Sequence, residues 1–538
     1  MHTVKNPSKL CQPQHLNSII LTLHLPEVDC YVGDMSTTKV YSAIPYGFNG
    51  RLVTVEGDSS HGLPNFNIIG MPSQTIAESR DRIRSAIRNS LFSFPRDKIT
   101  INLAPAALRK RGTGLDLPIA IAILILSSQL LPQDVRKRMV VGEVSLNGNL
   151  RPIRGILSII ETAIKHHFSE VYIPADNSSQ ATLLADKIKI YPIKNLRELW
   201  LALKQKAHIF TLKLIVKNTE KDKHEHYLDY IIDQPVAKRA LIIALAGRHN
   251  LLLTGPPGTG KTMLAKCAPS LLPAMNLAES VEATKLHSLR TILTQPIIQR
   301  PFRTPHHSAS LSALIGGSNL LPGEISLAHH GILFLDELPE FNRLALEALR
   351  QPLEEQQIQL TCTDGYIIYP ADFIFLATMN PCPCGYYGSK THRCTCHPAQ
   401  LYNYRKKLSG PLLDRIDMSV EVTGTPESVY VKNTTIGTPE HANAKTRIAN
   451  AIQFQHTRYG SNLTNSRLTS HQVVSYIPLD YNCQSFLSDA SRQLGLSARA
   501  YFKIIKLART IADLDQCPNV AVEHLAEALQ YRPQAQQG

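Results

Sequence analysis

No apolar run in these 538 residues approaches the roughly 20 needed to cross a bilayer. The best candidate, near Leu117–Leu126, is about ten residues long and reads as a buried helix instead. Near the amino terminus, the patch Ile19–Leu25 is interrupted by His24, followed by Pro26, and lacks a small-residue cleavage site. Neither a membrane partner nor a signal peptide is therefore expected. Acidic side chains are the scarcer charge, 43 against 57 lysines and arginines, which leaves +14 at pH 7. That imbalance favours an anionic partner, and nucleic acid is the commonest one. Solenoid-type repeats are also missing. Cysteine is sparse outside one cluster: Cys11, Cys30, Cys267, Cys362, Cys483 and Cys517 are dispersed and read as core or incidental positions. The expected compartment is the reducing cytoplasm, where clustered thiols bind metal rather than pair.

Hydrophobic residues at 43% and charged residues at 19% describe an ordinary globular chain, and its length implies two to four domains. Thr37–Pro192 alternates β-like runs (Arg51–Glu56, Lys98–Leu103, Val140–Val144, Glu170–Pro174) with helical segments. In Gln74–Ser90, Ile76, Ile83 and Ile87 recur on one helical face while Arg80, Arg82, Arg84 and Arg88 cover the other. Those arginines suit phosphate, although a helix's wet face is commonly arginine-rich. Gln205–His226 is polar and charge-dense, as a linker would be. Strand–loop–helix repeats start at Tyr230; a polar stretch follows Thr423, and Ala444–Gln530 reads mainly as helices.

The most specific motif is GPPGTGKT at Gly255–Thr262, preceded by the short apolar strand Asn250–Thr254 and followed by a helix from Met263. Strand, glycine-rich loop and helix together make a phosphate cradle. Gly255, Pro256, Pro257, Gly258, Thr259, Gly260, Lys261, Thr262 and Met263 are thus the expected ATP contacts. Backbone N–H groups would wrap the phosphates, with Lys261 on the β- and γ-phosphates and the Thr262 hydroxyl on Mg²⁺. Downstream, GILFLDE (Gly331–Glu337) ends an apolar strand in two carboxylates. Asp336 suits the Mg²⁺ and Glu337 suits activation of the attacking water. A third strand, Phe373–Thr378, ends near Asn380, whose amide can orient that water or sense the γ-phosphate.

Directly after it comes NPCPCGYYGSKTHRCTCHP, with Cys382, Cys384, Cys394 and Cys396 as two C-x-C pairs. Four thiols can complete a structural, tetrahedral Zn²⁺ site, although C-x-C is tighter than the usual spacing. His392 and His397 are spare ligands. The doublet His329–His330 abuts the carboxylate strand and reads as packing. His306–His307 lies in a loop with Arg300 and Arg303, where DNA contact competes with a plain solvated turn.

Taken together, these motifs resemble the AAA+ ATPases, in the magnesium-chelatase-like branch that contains the ComM/YifB proteins. The resemblance runs from about Met35 to Arg532 and includes GLPNFNIIGMP, ESRDRIRSAI, FRTPHHSAS, GEISLAHHGILFLDELPEF, LSGPLLDRID and SARAYFKIIKLARTIADL. It implies an α/β chain in several parts. Residues 35–204 form a Lon-protease-like (ribosomal S5-like) α+β domain; 205–228 are a linker. A P-loop core with a parallel sheet spans 229–425, carrying a cysteine-rich insertion at 382–396, and 426–538 are a helical lid. Residues 1–34 precede the match, so Met35 is the expected natural start.

Within that resemblance Asn380 matches sensor 1, Arg415 in LLDRID the arginine finger, and Arg499 in LSARAY the sensor 2 arginine. A finger that reaches a neighbour's nucleotide implies an oligomer, expected to be a homohexamer. The implied activity is ATP-driven branch migration on single-stranded and branched DNA during natural transformation and recombination, alongside recombination proteins. In the Lon-like part, KRGTGLDL puts Gly114 in the nucleophile's place, and Leu157 falls near the lysine position. Thr113 is a neighbouring hydroxyl with no evident base. Proteolysis is not expected; binding DNA or steadying the ring is. CTDG at Cys362–Gly365 departs from an S-R-A-like stretch of relatives, in an expected hairpin near the channel. The competing readings are a magnesium-chelatase motor subunit acting on a protein or porphyrin-metallation partner, and a non-enzymatic scaffold. The missing metal-ion-dependent adhesion segment weighs against the former, the Asp336–Glu337 pair against the latter.

Overall fold

The computed structural model describes residues 37–533, apart from 71–72, 111, 208, 215–226, 318–319, 363–364, 390–391, 424–439 and 461–462. The start expected at Met35, most of the linker and the polar stretch after Thr423 lie outside the described residues.

Seven strands make the amino-terminal sheet: β1 (Thr37–Tyr46), β2 (Asn49–Ser60), β3 (Asn65–Ile69), β4 (Lys98–Ala104), β5 (Arg138–Val140), β8 (Glu170–Pro174) and β9 (Lys189–Ile193). Their order is β3-β4-β2-β1-β5-β8-β9. β2 runs antiparallel to β1 and β4, whereas β1, β5, β8 and β9 pair in parallel. Burial alternates along β4, with Ile99, Ile101 and Leu103 inward, as a strand with one covered face requires. The helix Asp116–Leu126 lies in this core with every residue from Asp116 to Ile125 buried, so its uniformly apolar sequence reflects burial on all sides.

Two expectations need correcting here. Val140–Val144 is not one strand: β5 stops at Val140, and Glu143–Val144 (β6) pairs instead with Leu150–Arg151 (β7). Between them the chain turns aside, and the Gly142 N–H donates to the Gly114 carbonyl. The helix Gln74–Asn89 buries Ile76, Ile83 and Ile87 as expected. Arg82, however, leaves the wet face and pairs with buried Asp116 at 2.6 Å, while Arg84 stacks 4.9 Å over Phe94.

The second sheet is all parallel: β10 (Leu251–Thr254), β11 (Phe302–Arg303), β12 (Ile332–Leu335), β15 (Ile374–Met379) and β16 (Met418–Glu421), in the order β11-β12-β15-β10-β16. Its central strands are nearly continuous apolar runs because both faces are covered. A hairpin, β13 (Gln357–Cys362) and β14 (Gly365–Pro370), stands apart from it. The carboxyl ends of β10, β12 and β15 open on one crevice, the usual ligand place in such sheets. Among the described residues five α-helices follow (Glu440–Tyr459, Ser470–Tyr476, Tyr481–Leu494, Ala498–Leu514, Val522–Gln530) and share one apolar core with β10 and the helix Pro235–Gly247.

The two halves are in contact. The helix Leu277–Arg290 of the second half meets the first: Gly155 N–H donates to Ser288 O at 3.1 Å, and Lys285 pairs with Glu161 beneath the Phe48 ring. A second tie joins the helical region to the parallel sheet. Asp372, just before β15, holds Arg248 at 3.0 Å and Arg467 at 2.6 Å. Burial pushes the Asp372 carboxyl up, but the two guanidiniums outweigh it and hold the group below the usual carboxylate range. Asp372→Ala leaves both arginines facing each other unpaired and should cost about 3 kcal/mol of stability in denaturant unfolding. Because the folded group titrates below its unfolded value, this contribution is present above about pH 4 and fades as the pH falls further.

Candidate active site

β10 delivers the chain into the glycine-rich loop, and the helix Lys261–Leu271 begins at Lys261, two residues earlier than the expected Met263. Gly258 and Gly260 take positive φ of 79° and 82°, so the loop's N–H groups turn in a sense that side chains rarely allow. At Gly255 the constraint is space: an added Cβ would sit 2.1 Å from the Val422 carbonyl beyond β16. The Lys261 ammonium donates to the Gly255 and Pro256 carbonyls at 2.7 Å each and lies 3.4 Å from the Asn380 amide oxygen. Burial lowers its pKa, and Asp336 and Glu337 pull the other way.

Thr262 Oγ1 stands 3.1 Å from Asp336 Oδ2. This hydroxyl–carboxylate pair is the donor set a Mg²⁺ bridging two phosphates takes, so the residues fit the ion. Thr378, one residue inside the end of β15, was not anticipated. Its hydroxyl donates to Asp336 and accepts the Glu337 N–H at 3.1 Å, tying both carboxylate residues to the neighbouring strand. Glu337 itself is exposed and adopts φ +54°, a left-handed turn that swings it away from Asp336. Such backbone outliers in non-glycine residues gather at working sites. Lys261, Thr262, Asp336, Glu337 and Asn380 are therefore brought around one crevice. It can hold a metal-bound polyphosphate and present a carboxylate to water.

Comparison with known proteins agrees with this geometry. The family model "Magnesium chelatase, subunit ChlI" matches residues 227–429, with companion models of the same subunit over 55–177 and 439–532. The "Competence protein ComM" of Haemophilus influenzae is 42% identical over 504 residues, covering 93% of this chain and 98% of that protein. The chain belongs to the magnesium-chelatase-like ComM/YifB family. A YifB protein of Salmonella typhimurium is 41% identical over 501 residues, 93% of this chain and 97% of its own. A Lon protease of Solibacter usitatus is 28% identical over 148 residues, 26% of this chain and 18% of that one. As a member of an AAA+-type family, this ComM/YifB chain carries the nucleotide and Mg²⁺ machinery that the crevice is built for.

The two arginines lie together, elsewhere in this ComM/YifB chain. Arg415 donates to Arg350 O at 3.0 Å and Pro411 O at 2.7 Å, and forms an ion pair with Glu354. Arg499 reaches the same carboxylate at 3.5 Å. Glu354 is thus a shared anchor that no sequence motif marked.

Cys382, Cys384, Cys394 and Cys396 converge, all four sulfurs within 4.8 Å of one another. Cys382–Cys384, Cys382–Cys394 and Cys384–Cys394 are 3.3, 3.8 and 3.5 Å apart, near the roughly 3.8 Å edge of a tetrahedron with 2.3 Å Zn–S bonds. Backbone N–H groups of Tyr386 and Thr395 pull the Cys384 thiol down, while thiols bonded to one another push Cys394 and Cys396 up, so the cluster offers one thiolate and further thiols to a cation. The cluster fits structural zinc. It also touches the nucleotide loop, because Gly385 lies so close to Pro257 that an added Cβ would sit 2.7 Å from its ring. We expect one zinc per purified chain by elemental analysis, lost in Cys394→Ser.

His329 and His330 both bond Glu282, at 3.0 and 2.6 Å. His329 Nδ1 accepts the Asp372 N–H at 3.0 Å, so its Nε2 carries the proton and points it at Glu282. That tautomer leaves His329 no lone pair for a metal, and Glu282 holds both rings in a polar network where plain packing was expected. Near His306–His307, Arg300 is held by Glu279 and Arg303 by Glu324. Both arginines expected near DNA are therefore already engaged inside the chain.

In the amino-terminal half, Gly114 lies beside Ile153 and Val141, and Leu157 is fully buried. The Thr113 hydroxyl does have a carboxylate partner, Glu143. Lys110 is buried with its ammonium on the carbonyls of Gly70 and Leu103, at 2.8 and 2.7 Å, and of Pro105. An ammonium capped by three carbonyls does structural work and is not a free base.

Proposed function

We propose that this chain is an ATP-driven DNA motor of the ComM type, promoting branch migration and heteroduplex extension during natural transformation and recombination. The observation that carries the reading is the complete crevice, Lys261 to Thr262 to Asp336 to Glu337 to Asn380, in a chain 42% identical to a competence protein along 93% of its length. The net charge of +14 supports a polyanionic track.

In this reading Gly255–Met263 wrap the phosphates, and Thr262 and Asp336 would hold a Mg²⁺, which would supply charge neutralisation there. Glu337 takes a proton from water, and Asn380 orients it. Arg415, held on Glu354, serves the nucleotide of the next chain in a homohexameric ring, and Arg499 beside it reads the nucleotide from the helical lid. The amino-terminal domain cleaves no peptide; it steadies the ring or meets DNA. The setting is cytoplasmic, and recombination proteins are partners.

ATP turnover measured with and without forked DNA tests the proposal. Stimulation by the fork is expected. Turnover indifferent to every DNA structure would refute it and leave the chelatase-type motor suggested by the family's description.

A further inference from the structure

Residues 379–413 contain no aspartate or glutamate, but they contain Lys390, Arg393, Arg405, Lys406 and Lys407, interleaved with Tyr386, Tyr387, Tyr402 and Tyr404. The cysteine cluster and the helix Pro398–Lys406 give the described part of this stretch a fixed shape. Of the described groups, Arg393, Lys406 and Lys407 are exposed, and Tyr402 retains 63% of its surface, while Tyr404 is buried. Cations lie over rings along it, Arg405 at 5.0 Å from Tyr387 and Lys406 at 5.5 Å from Tyr402. Arg343 extends the positive field, lining one depression with Phe341, Asn403, Lys406 and Lys407. The adjoining acid, Glu340, is paired with Lys407 at 3.3 Å.

We infer that this face binds a single nucleic-acid strand, with Arg343, Arg393 and Lys406 on its phosphates and Tyr387 and Tyr402 beside its bases. Clustered cations on a rigid support supply the sequence-independent attraction; flat rings are what unpaired bases stack on. The assignment rests on the DNA-motor reading and names a surface for it. The placement also gives the strand a route to the nucleotide. The helix buries Tyr404, whose hydroxyl meets the Asn380 backbone, and the cysteine loop is seated on Pro257.

The test is fluorescence anisotropy of a labelled single-stranded oligonucleotide with the full chain over a salt series. Arg343→Ala, Arg393→Ala and Lys406→Ala combined should weaken binding at least about 10-fold. Three lost phosphate contacts at about 0.7 each should flatten the log–log salt slope by about 2. DNA-free ATP turnover should stay as in wild type, and Arg393→Lys with Lys406→Arg should keep the affinity. Wild-type binding with an unchanged triple variant overturns this assignment alone. A wild type that binds no oligonucleotide overturns the motor reading with it. A triple variant that loses assembly but retains affinity makes the face a contact between chains and also overturns the assignment.

Discussion

Replacing Arg415 by alanine should lower ATP turnover of the assembled protein by about 10³–10⁵-fold, the range an arginine supplied to a phosphoryl-transfer site commands. Within one chain, Arg415 is merely an ion-pair partner of half-exposed Glu354 and a donor to two carbonyls. The Arg415 side chain is only 13% exposed, so alanine removes the ion pair and both carbonyl bonds at a cost of about 1–3 kcal/mol of stability. A kinetic loss far larger than that, in protein still folded at the assay temperature, therefore separates a role at a neighbour's nucleotide from a local one. Turnover within a few-fold of wild type would remove Arg415 from the mechanism.

Glu337→Gln should reduce turnover by about 10²–10⁴-fold while ATP still binds, since the amide cannot accept the water's proton. The rest of the crevice is unaffected: the Thr378 hydroxyl bonds the Glu337 backbone, not its side chain. Binding of a fluorescent ATP analogue and steady-state turnover check the two halves of this expectation. The two variants also test each other. In the proposed ring, mixed assemblies would place an intact Glu337 from the Arg415→Ala chain beside an intact Arg415 from the Glu337→Gln chain. Activity should reappear on mixing two inactive preparations, and it cannot if Arg415 serves its own nucleotide.

How far the sequence could be read depended on how local the constraint was. The phosphate loop was legible because Gly255, Gly258 and Gly260 answer backbone demands that few other residues meet. The start of its helix was placed late, at Met263, because Lys261 and Thr262 were read as loop ligands although they also form the helix's first turn. The four cysteines were legible by proximity in the chain. Contacts distant in sequence were not. Arg82 finds Asp116 34 positions away, and a threonine such as Thr378 is unremarkable in any strand until its neighbour ends in carboxylates. Glu354 carries no motif; only folding shows that it gathers Arg415 and Arg499.

The hydrocarbon beside Gly114 limits what chemistry this position can support. Ile153 and Val141 lie 3.6 Å from where a side chain at that position would begin, and Leu157 is sealed in the same apolar cluster. A serine placed there would have Ile153 and Val141, not an ammonium, as its nearest neighbours. Building a serine–lysine pair would require a second substitution that buries a lysine at a cost of several kcal/mol before any benefit appeared.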